Sequence, residues 1–347
     1  MLAWRVGKEA GKQRLGVDDA MTQQMSRRTV LIVGASALLG LAAPAAGQDA
    51  YPSKTIELII PFAAGGGADI EGRLLAKEMS KILGADIVPI NKPGGGGAVT
   101  YAHVKNAKPD GYTLAWNSTS ILTSTNLGNV PFKQDALDHI GRVEWQPMPF
   151  AVKADAKWKT FEEFVADCKA SPSTYKVANS GAGSATHVAA LALMEAARCK
   201  VVHLPVGVKR RNASVLSGEA DAMVAPLTGA INLARGGKLR LLAIPSAQRN
   251  PVVPDVPTAQ ELGFDASLDL FRGLSVPKGT PPRIKAKLAY AMTVAAKSEA
   301  FQELAGKSGF TVDPLPVGDF ERLLEVEDAK VKRIMQSAGL YQSKAAN

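Results

Sequence analysis

From Tyr51 onward the chain alternates short apolar runs, each closed by glycine or proline, with longer stretches patterned for helices. Short apolar runs suit strands buried on both faces, and the helices between them are what a parallel sheet needs to cross from one strand to the next. The class this predicts is α/β. Thr55 to Ile60 reads as a strand, Asp69 to Leu83 as a helix ended by Gly84, and Ala85 to Ile90 as a second strand. A third, Tyr112 to Trp116, follows the turn Pro109-Asp110-Gly111 and opens into the polar loop Asn117 to Thr119. The rhythm restarts after Pro149: strands at Phe150 to Lys153, Tyr175 to Asn179, Lys200 to Leu204, Ala220 to Ala225 and Leu239 to Ile244 alternate with helices at Thr160 to Ala170, Ser184 to Arg198 and Asn212 to Ser217. Past Phe271 to Pro282, helices are expected at Arg283 to Ser298, Ala300 to Ser308 and Val317 to Ala338. A chain of 347 residues with two such cycles fits two domains better than one.

The first fifty residues stand apart from this pattern. Ser26-Arg27-Arg28 leads into the apolar run Val30 to Ala43 and then into Ala43-Pro44-Ala45, the order of an export signal ending at a small-residue cleavage site. The paired arginines resemble a twin-arginine signal. The run is interrupted by Gly34, Ser36 and Gly40 and is shorter than the roughly twenty residues a membrane span requires, so cleavage and a periplasmic location are expected. Residues 1 to 24 lie upstream of the signal's charged region, and Met21 or Met25 reads as the better start. Residues 1 to 48 hold six Lys or Arg and three Asp or Glu, so their loss lowers the net charge from +9 to +6. The remaining cations are scattered and aromatic content is 6%, which argues against a nucleic-acid surface.

Cys168 and Cys199 are the sole cysteines; in an oxidising compartment they could form a disulfide or stay as two buried thiols. The histidines His103, His139, His187 and His203 show no metal-ligand spacing, and no cofactor motif is present. A Gly-x-Ser-x-Gly elbow and a dinucleotide fingerprint are also missing, so an enzyme is not expected.

Two loops can hold an anion. Gly65-Gly66-Gly67 follows a strand and precedes a helix, so bare backbone can approach a ligand while the helix start presents its amides; a plain tight turn is the other reading. No Gly-Lys-Ser/Thr ending makes it a P-loop. Gly181-Ala182-Gly183-Ser184 repeats the arrangement, with Ser184 or Thr186 supplying a hydroxyl. Neither loop carries Lys or Arg, so dipoles and hydroxyls are expected to hold a carboxylate without a formal cation. Asp69 should offset the amides of the first helical turn, or else order waters at a ligand. Ser118 and Thr119 can extend the polar wall. For His187, packing and hydrogen bonding are the expected role. Lys209-Arg210-Arg211 can either reach a second carboxylate or form a solvated helix face, and the four glycines of NKPGGGGA can be a contact or a mobile turn.

Read in order, YPSKTIELIIPFAAGGGAD (Tyr51 to Asp69), NKPGGGGA (Asn91 to Ala98), KPDGYTL (Lys108 to Leu114), NSGAGSATH (Asn179 to His187), GKLRLLA (Gly237 to Ala243), PDVPTAQELGF (Pro254 to Phe264) and PKGTPPRI (Pro277 to Ile284) resemble the receptors of tripartite tricarboxylate transporters, the Bug-type periplasmic binding proteins. The resemblance covers essentially Tyr51 to Tyr341. It implies a type II periplasmic-binding-protein fold: two α/β domains, 49–150 plus 272–347 and 151–271, joined by two hinge crossings near Phe150 and Phe271, with the C-terminal helices returning to the first domain. It implies a monomer that closes on a small carboxylate, aliphatic or aromatic, and delivers it to membrane subunits of the transporter; a receptor feeding a sensor is the alternative. The candidate ligand contacts are Phe62, Ala64, Gly65, Gly66, Gly67, Ala68, Asp69, Ser118, Thr119, Ser180, Gly183, Ser184, Ala185, Thr186, Val206 and Gly207. The chain departs from the family pattern at Leu204-Pro205-Val206-Gly207, where Val-Pro-Tyr-Lys-Gly is usual, and at Phe271, where tryptophan is common; both departures are expected to touch the cleft.

Overall fold

The structure is a computed structural model and describes residues 51–344; the export signal and the residues upstream of it lie outside the described residues. The chain begins β1 (Ile56–Ile60), α1 (Gly67–Leu83), β2 (Ile87–Asn91), α2 (Ala98–Lys105), β3 (Thr113–Ser118), α3 (Ser120–Leu127) and β4 (Leu137–Gln146). It continues β5 (Phe150–Lys153), α4 (Phe161–Ala170), β6 (Lys176–Asn179), α5 (Ala185–Ala196), β7 (Val202–Pro205), α6 (Gly207–Ser217), β8 (Ala222–Val224), α7 (Leu227–Arg235) and β9 (Leu239–Ala243). It ends β10 (Leu270–Pro277), α8 (Pro282–Ala296), α9 (Glu299–Ser308), β11 (Thr311–Pro316) and α10 (Val317–Ser337).

The strands form two sheets. One has the order β11-β4-β10-β3-β1-β2 and the other β7-β6-β8-β5-β9. The chain passes from the first sheet to the second between Gln146 and Phe150 and returns between Ala243 and Leu270. The expectation of parallel sheets holds only in part. β1 runs parallel to β2 and β3, and β6 parallel to β7 and β8, but β10 is antiparallel to both β3 and β4, and β5 antiparallel to β8 and β9. The reason is connectivity: β4, β5 and β10 lie at the two passages, and an antiparallel partner needs no crossover helix.

Burial follows the strand patterns. Ile56, Leu58 and Ile60 pack with Leu75, Met79, Leu288 and Phe301 in a core confined to the first lobe, while Ala151, Ala178, Val215 and Met223 form a smaller one in the second. A third core runs past the passages, joining Ile59 and Ile121 to Phe150, Phe161, Val188 and Phe271. α8 and α9 pack on α1, and α10 lies against α3 and β4 while also touching α5. Cys168 of α4 and Cys199, just beyond α5, are joined in a disulfide with their Cα atoms 5.7 Å apart, which decides between the pairing and the free thiols. Among the described residues no helix is long and apolar enough to cross a membrane.

Candidate functional site

Both glycine loops end in a helix start, for different local reasons. α1 begins at Gly67 behind Gly66, which no side chain caps, so its first amides are left without a side-chain acceptor. α5 is capped by Ser184, whose hydroxyl accepts the His187 N–H at 3.3 Å. Gly66 has φ −87° and ψ 171°, a conformation open to any residue, so its value is space: a Cβ there would lie 2.9 Å from Val208 Cγ1 across the cleft. The four-glycine loop lies against the other lobe. A Cβ on Gly96 would fall 3.2 Å from the carbonyl carbon and oxygen of Gly183 in the other lobe, and Ser124 of α3 donates to Gly96 O at 3.0 Å, fixing the loop there.

The two helix starts face a common cavity. The first lobe contributes Phe62, Gly66, Gly67, Ala68, Leu270 and Arg272, and the second Ser180, Ser184, Ala185, Thr186, Val208, Arg211, Pro226 and Gly229. Val206 and Gly207 line a wider outer cavity that also meets Phe62, Ser180 and Gly94 to Gly97. The remaining sequence candidates do not line the inner space. Ala64 and Gly65 are exposed, Gly183 stands against Leu127, and Ser118 is buried with its hydroxyl 2.8 Å from Ser120 Oγ. Thr119 Oγ1 donates to Asp269 O and accepts the Phe271 N–H, tying α3 to β10. Phe271 packs edge-on to Phe320 with centroids 5.3 Å apart, so that departure from the family pattern lies in the core and not in the cleft.

Asp69 takes the structural role. Its carboxylate accepts from Gly65 N–H at 3.0 Å, Arg73 Nε at 2.8 Å and Asn91 Nδ2 at 3.0 Å. Burial acts to raise its pKa, but these bonds outweigh it and hold the carboxyl below the usual range. His187 is packed as expected: its Nδ1 accepts the Gly183 N–H at 3.2 Å, and burial with His203 nearby pulls its pKa down to about 4.

The expectation of a cradle without cations is overturned. Arg211 is 3% exposed and Arg272 2% exposed, and both line the cavity. Arg272 lies between two carboxylates, bonded to Glu71 and 3.2 Å from Glu144 Oε1, and its buried Nη1 has no hydrogen-bond partner among the described residues. Burial, and next the neighbouring Glu71, raise the Glu144 pKa well above the ordinary value. Gln146 ties this group to the second lobe: its Nε2 donates to Glu71 at 3.0 Å and its Oε1 accepts from Thr228 Oγ1 at 2.8 Å. Arg211 Nη1 donates to Ser180 Oγ at 2.6 Å, whereas Arg210 is exposed and pairs with Glu219. The basic run is therefore split, two residues to solvent and one inward. The signal was helical spacing: Arg211, Ser214 and Val215, all buried, share one face of α6.

A two-lobed α/β fold with a largely apolar cavity walled by both lobes and carrying a few polar groups is the architecture of a solute-binding protein. The chain belongs to the tripartite tricarboxylate transporter receptor family, whose model matches residues 72–340. It is 32% identical over 316 residues to the UPF0065 protein in the gbd 5' region of Cupriavidus necator, covering 89% of this chain and 95% of that protein. Among solved structures, a TctC solute-binding protein from Polaromonas without ligand is 33% identical with a TM-score of 0.66, covering 83% of this chain and 99% of that one. MatC from Rhodopseudomonas palustris with bound malate is 27% identical with a TM-score of 0.76, covering 82% and 99%. The family and its solved members are solute-binding receptors and not enzymes, and this chain is a receptor of that family.

Proposed function

We propose that the receptor captures a small carboxylate in the inner cavity and hands it to the membrane subunits of a tripartite transporter. The observation that carries the reading is the convergence of two helix starts from different lobes on one buried space. A helix start offers unpaired amides and the positive end of the helix dipole, and a carboxylate matches both. Arg211 and the orphaned Nη1 of Arg272 add donors that water in the open state or a ligand in the closed state would satisfy. A relative that binds malate agrees with this chemistry.

In this reading the lobes are 49–150 plus 272–347 and 151–271, and the passages near Phe150 and Phe271 act as the hinge. Ligand contacts come from Phe62, Gly66 to Ala68, Ser180 and Ser184 to Thr186. The protein works as a monomer in the periplasm after export by the twin-arginine route through Arg27 and Arg28 and cleavage of the signal ahead of Tyr51. The test is a melting screen on protein recovered from the periplasm, whose intact mass should place its first residue between Ala45 and Tyr51. A bound acid from the series acetate to suberate, at a hundredfold its Kd, adds about 2.7 kcal/mol and raises the melting temperature by several degrees. Its methyl ester should not. A screen in which no acid shifts the melting, or in which esters do as well, contradicts the proposal.

A further inference from the structure

Arg211 is a buried cation without a counterion. Its bonds go to neutral oxygens, Nη1 to Ser180 Oγ at 2.6 Å and Nε to Asn212 Oδ1 at 3.3 Å, and among the described residues no carboxylate pairs with it. Burial alone pulls its pKa down to about 10, with no acidic neighbour acting in the other direction. Arg272, the other cavity arginine, has Glu71 beside it. Space for the Arg211 head is made on purpose by the backbone opposite: a Cβ on Gly229 of α7 would lie 2.8 Å from Nη2. Desolvating an unpaired charge is costly, and a guanidinium held in place beside a cavity is satisfied most fully by a ligand carboxylate.

We propose that Arg211 is the residue that reads the charge of the ligand, receiving the second carboxylate of a dicarboxylate whose first lies at the helix starts of α1 and α5. This rests on the carboxylate-receptor reading above and narrows it to dianions. Two helix starts together match about one negative charge, which leaves the full charge of Arg211 for another. A monocarboxylate would satisfy one of these and strand the other. Planar, bidentate pairing explains why the position holds arginine, since lysine offers a point charge only.

Calorimetric titration at neutral pH with malonate, succinate, glutarate and adipate, each against its own monoamide, tests the assignment. The wild type should bind at least one diacid about a hundredfold more tightly than its monoamide, and Arg211→Gln should lose that preference, binding the two within about threefold. Gly229→Ala serves as the second variant. Alanine is favoured over glycine inside a helix, so the fold is retained, but the added methyl displaces the guanidinium and the preference should fall while the charge stays. Equal binding of diacid and monoamide by the wild type, or a preference that survives Arg211→Gln, overturns the proposal. If monoamides bind and diacids do not, the carboxylate-receptor reading stands and the role of Arg211 falls. If neither series nor any simple monocarboxylate binds, both fall.

Discussion

Buried charges in this chain are settled in three ways. Asp69 keeps its charge because three donors surround it, and Glu144 is pushed towards its neutral form, first by burial and then by the nearby Glu71. Arg211 can do neither, since a guanidinium does not readily release its proton and its neighbours are neutral. His187 is held neutral, and its lone pair anchors the glycine loop through the Gly183 N–H. Its folded pKa, about 4, lies below the free value of 6.5, so as pH falls the unfolded chain takes up the proton first. Stability present at pH 7 is therefore lost as pH falls from about 6.5 towards 4, amounting to about 2 kcal/mol at pH 5. His139 and His203 shift in the same direction and Asp269, pushed up to about 6 by burial, in the opposite one, so the whole-protein profile mixes these contributions. Comparison with His187→Gln, which keeps an acceptor for Gly183, isolates the histidine. Urea denaturation at pH 7 and pH 5 should show the wild type losing about 2 kcal/mol more than the variant, and parallel losses would contradict the assignment.

At the scale of elements, the disulfide ties α4 to the segment after α5 across 31 positions of sequence. Closing a loop of that size contributes about 3 kcal/mol in the chain-entropy model. Protein denatured without reductant should show no free thiol, and Cys168→Ala with Cys199→Ala should unfold about 3 kcal/mol more easily; two free thiols in the wild type would reject the bridge. The elements legible in the sequence were those with apolar periodicity and clean ends. β1, α1 with its left-handed Gly84, and α4 behind its Thr160 cap all fall within two residues of expectation. β4 was not legible, because Asp138, His139, Arg142 and Glu144 break up its apolar pattern although His139, Arg142 and Glu144 are buried in the folded sheet between β10 and β11. α3 was missed for a related reason. Its Ser120, Thr123, Ser124, Thr125 and Asn126 leave it without an apolar stripe, yet all are buried, and Ser124 and Asn126 are spent on bonds to Gly96 and Asp328. α6 was seen only from Asn212, because the lysine and two arginines before it hide the one that turns inward.

For the whole molecule, the two glycine loops were legible as helix starts, but their meeting was not, since it depends on how the lobes close. Gly66 meets Val208, Gly67 meets Thr228 and Gly96 meets Gly183, each contact joining one lobe to the other. These approaches leave no room for side chains, and Gln146 bonded to Thr228 locks the same interface by hydrogen bonds. The central claim is that closure brings the bare backbone at Gly66 onto a carboxylate. Gly66→Val tests it most directly, because the backbone there suits any residue and the fold should persist while the added carbons meet Val208. Titration calorimetry of both proteins with the acid found by the melting screen should show the variant's affinity reduced by at least about a hundredfold, beyond the loss of any single hydrogen bond. A folded Gly66→Val protein that binds that acid with the affinity of the wild type would contradict the account.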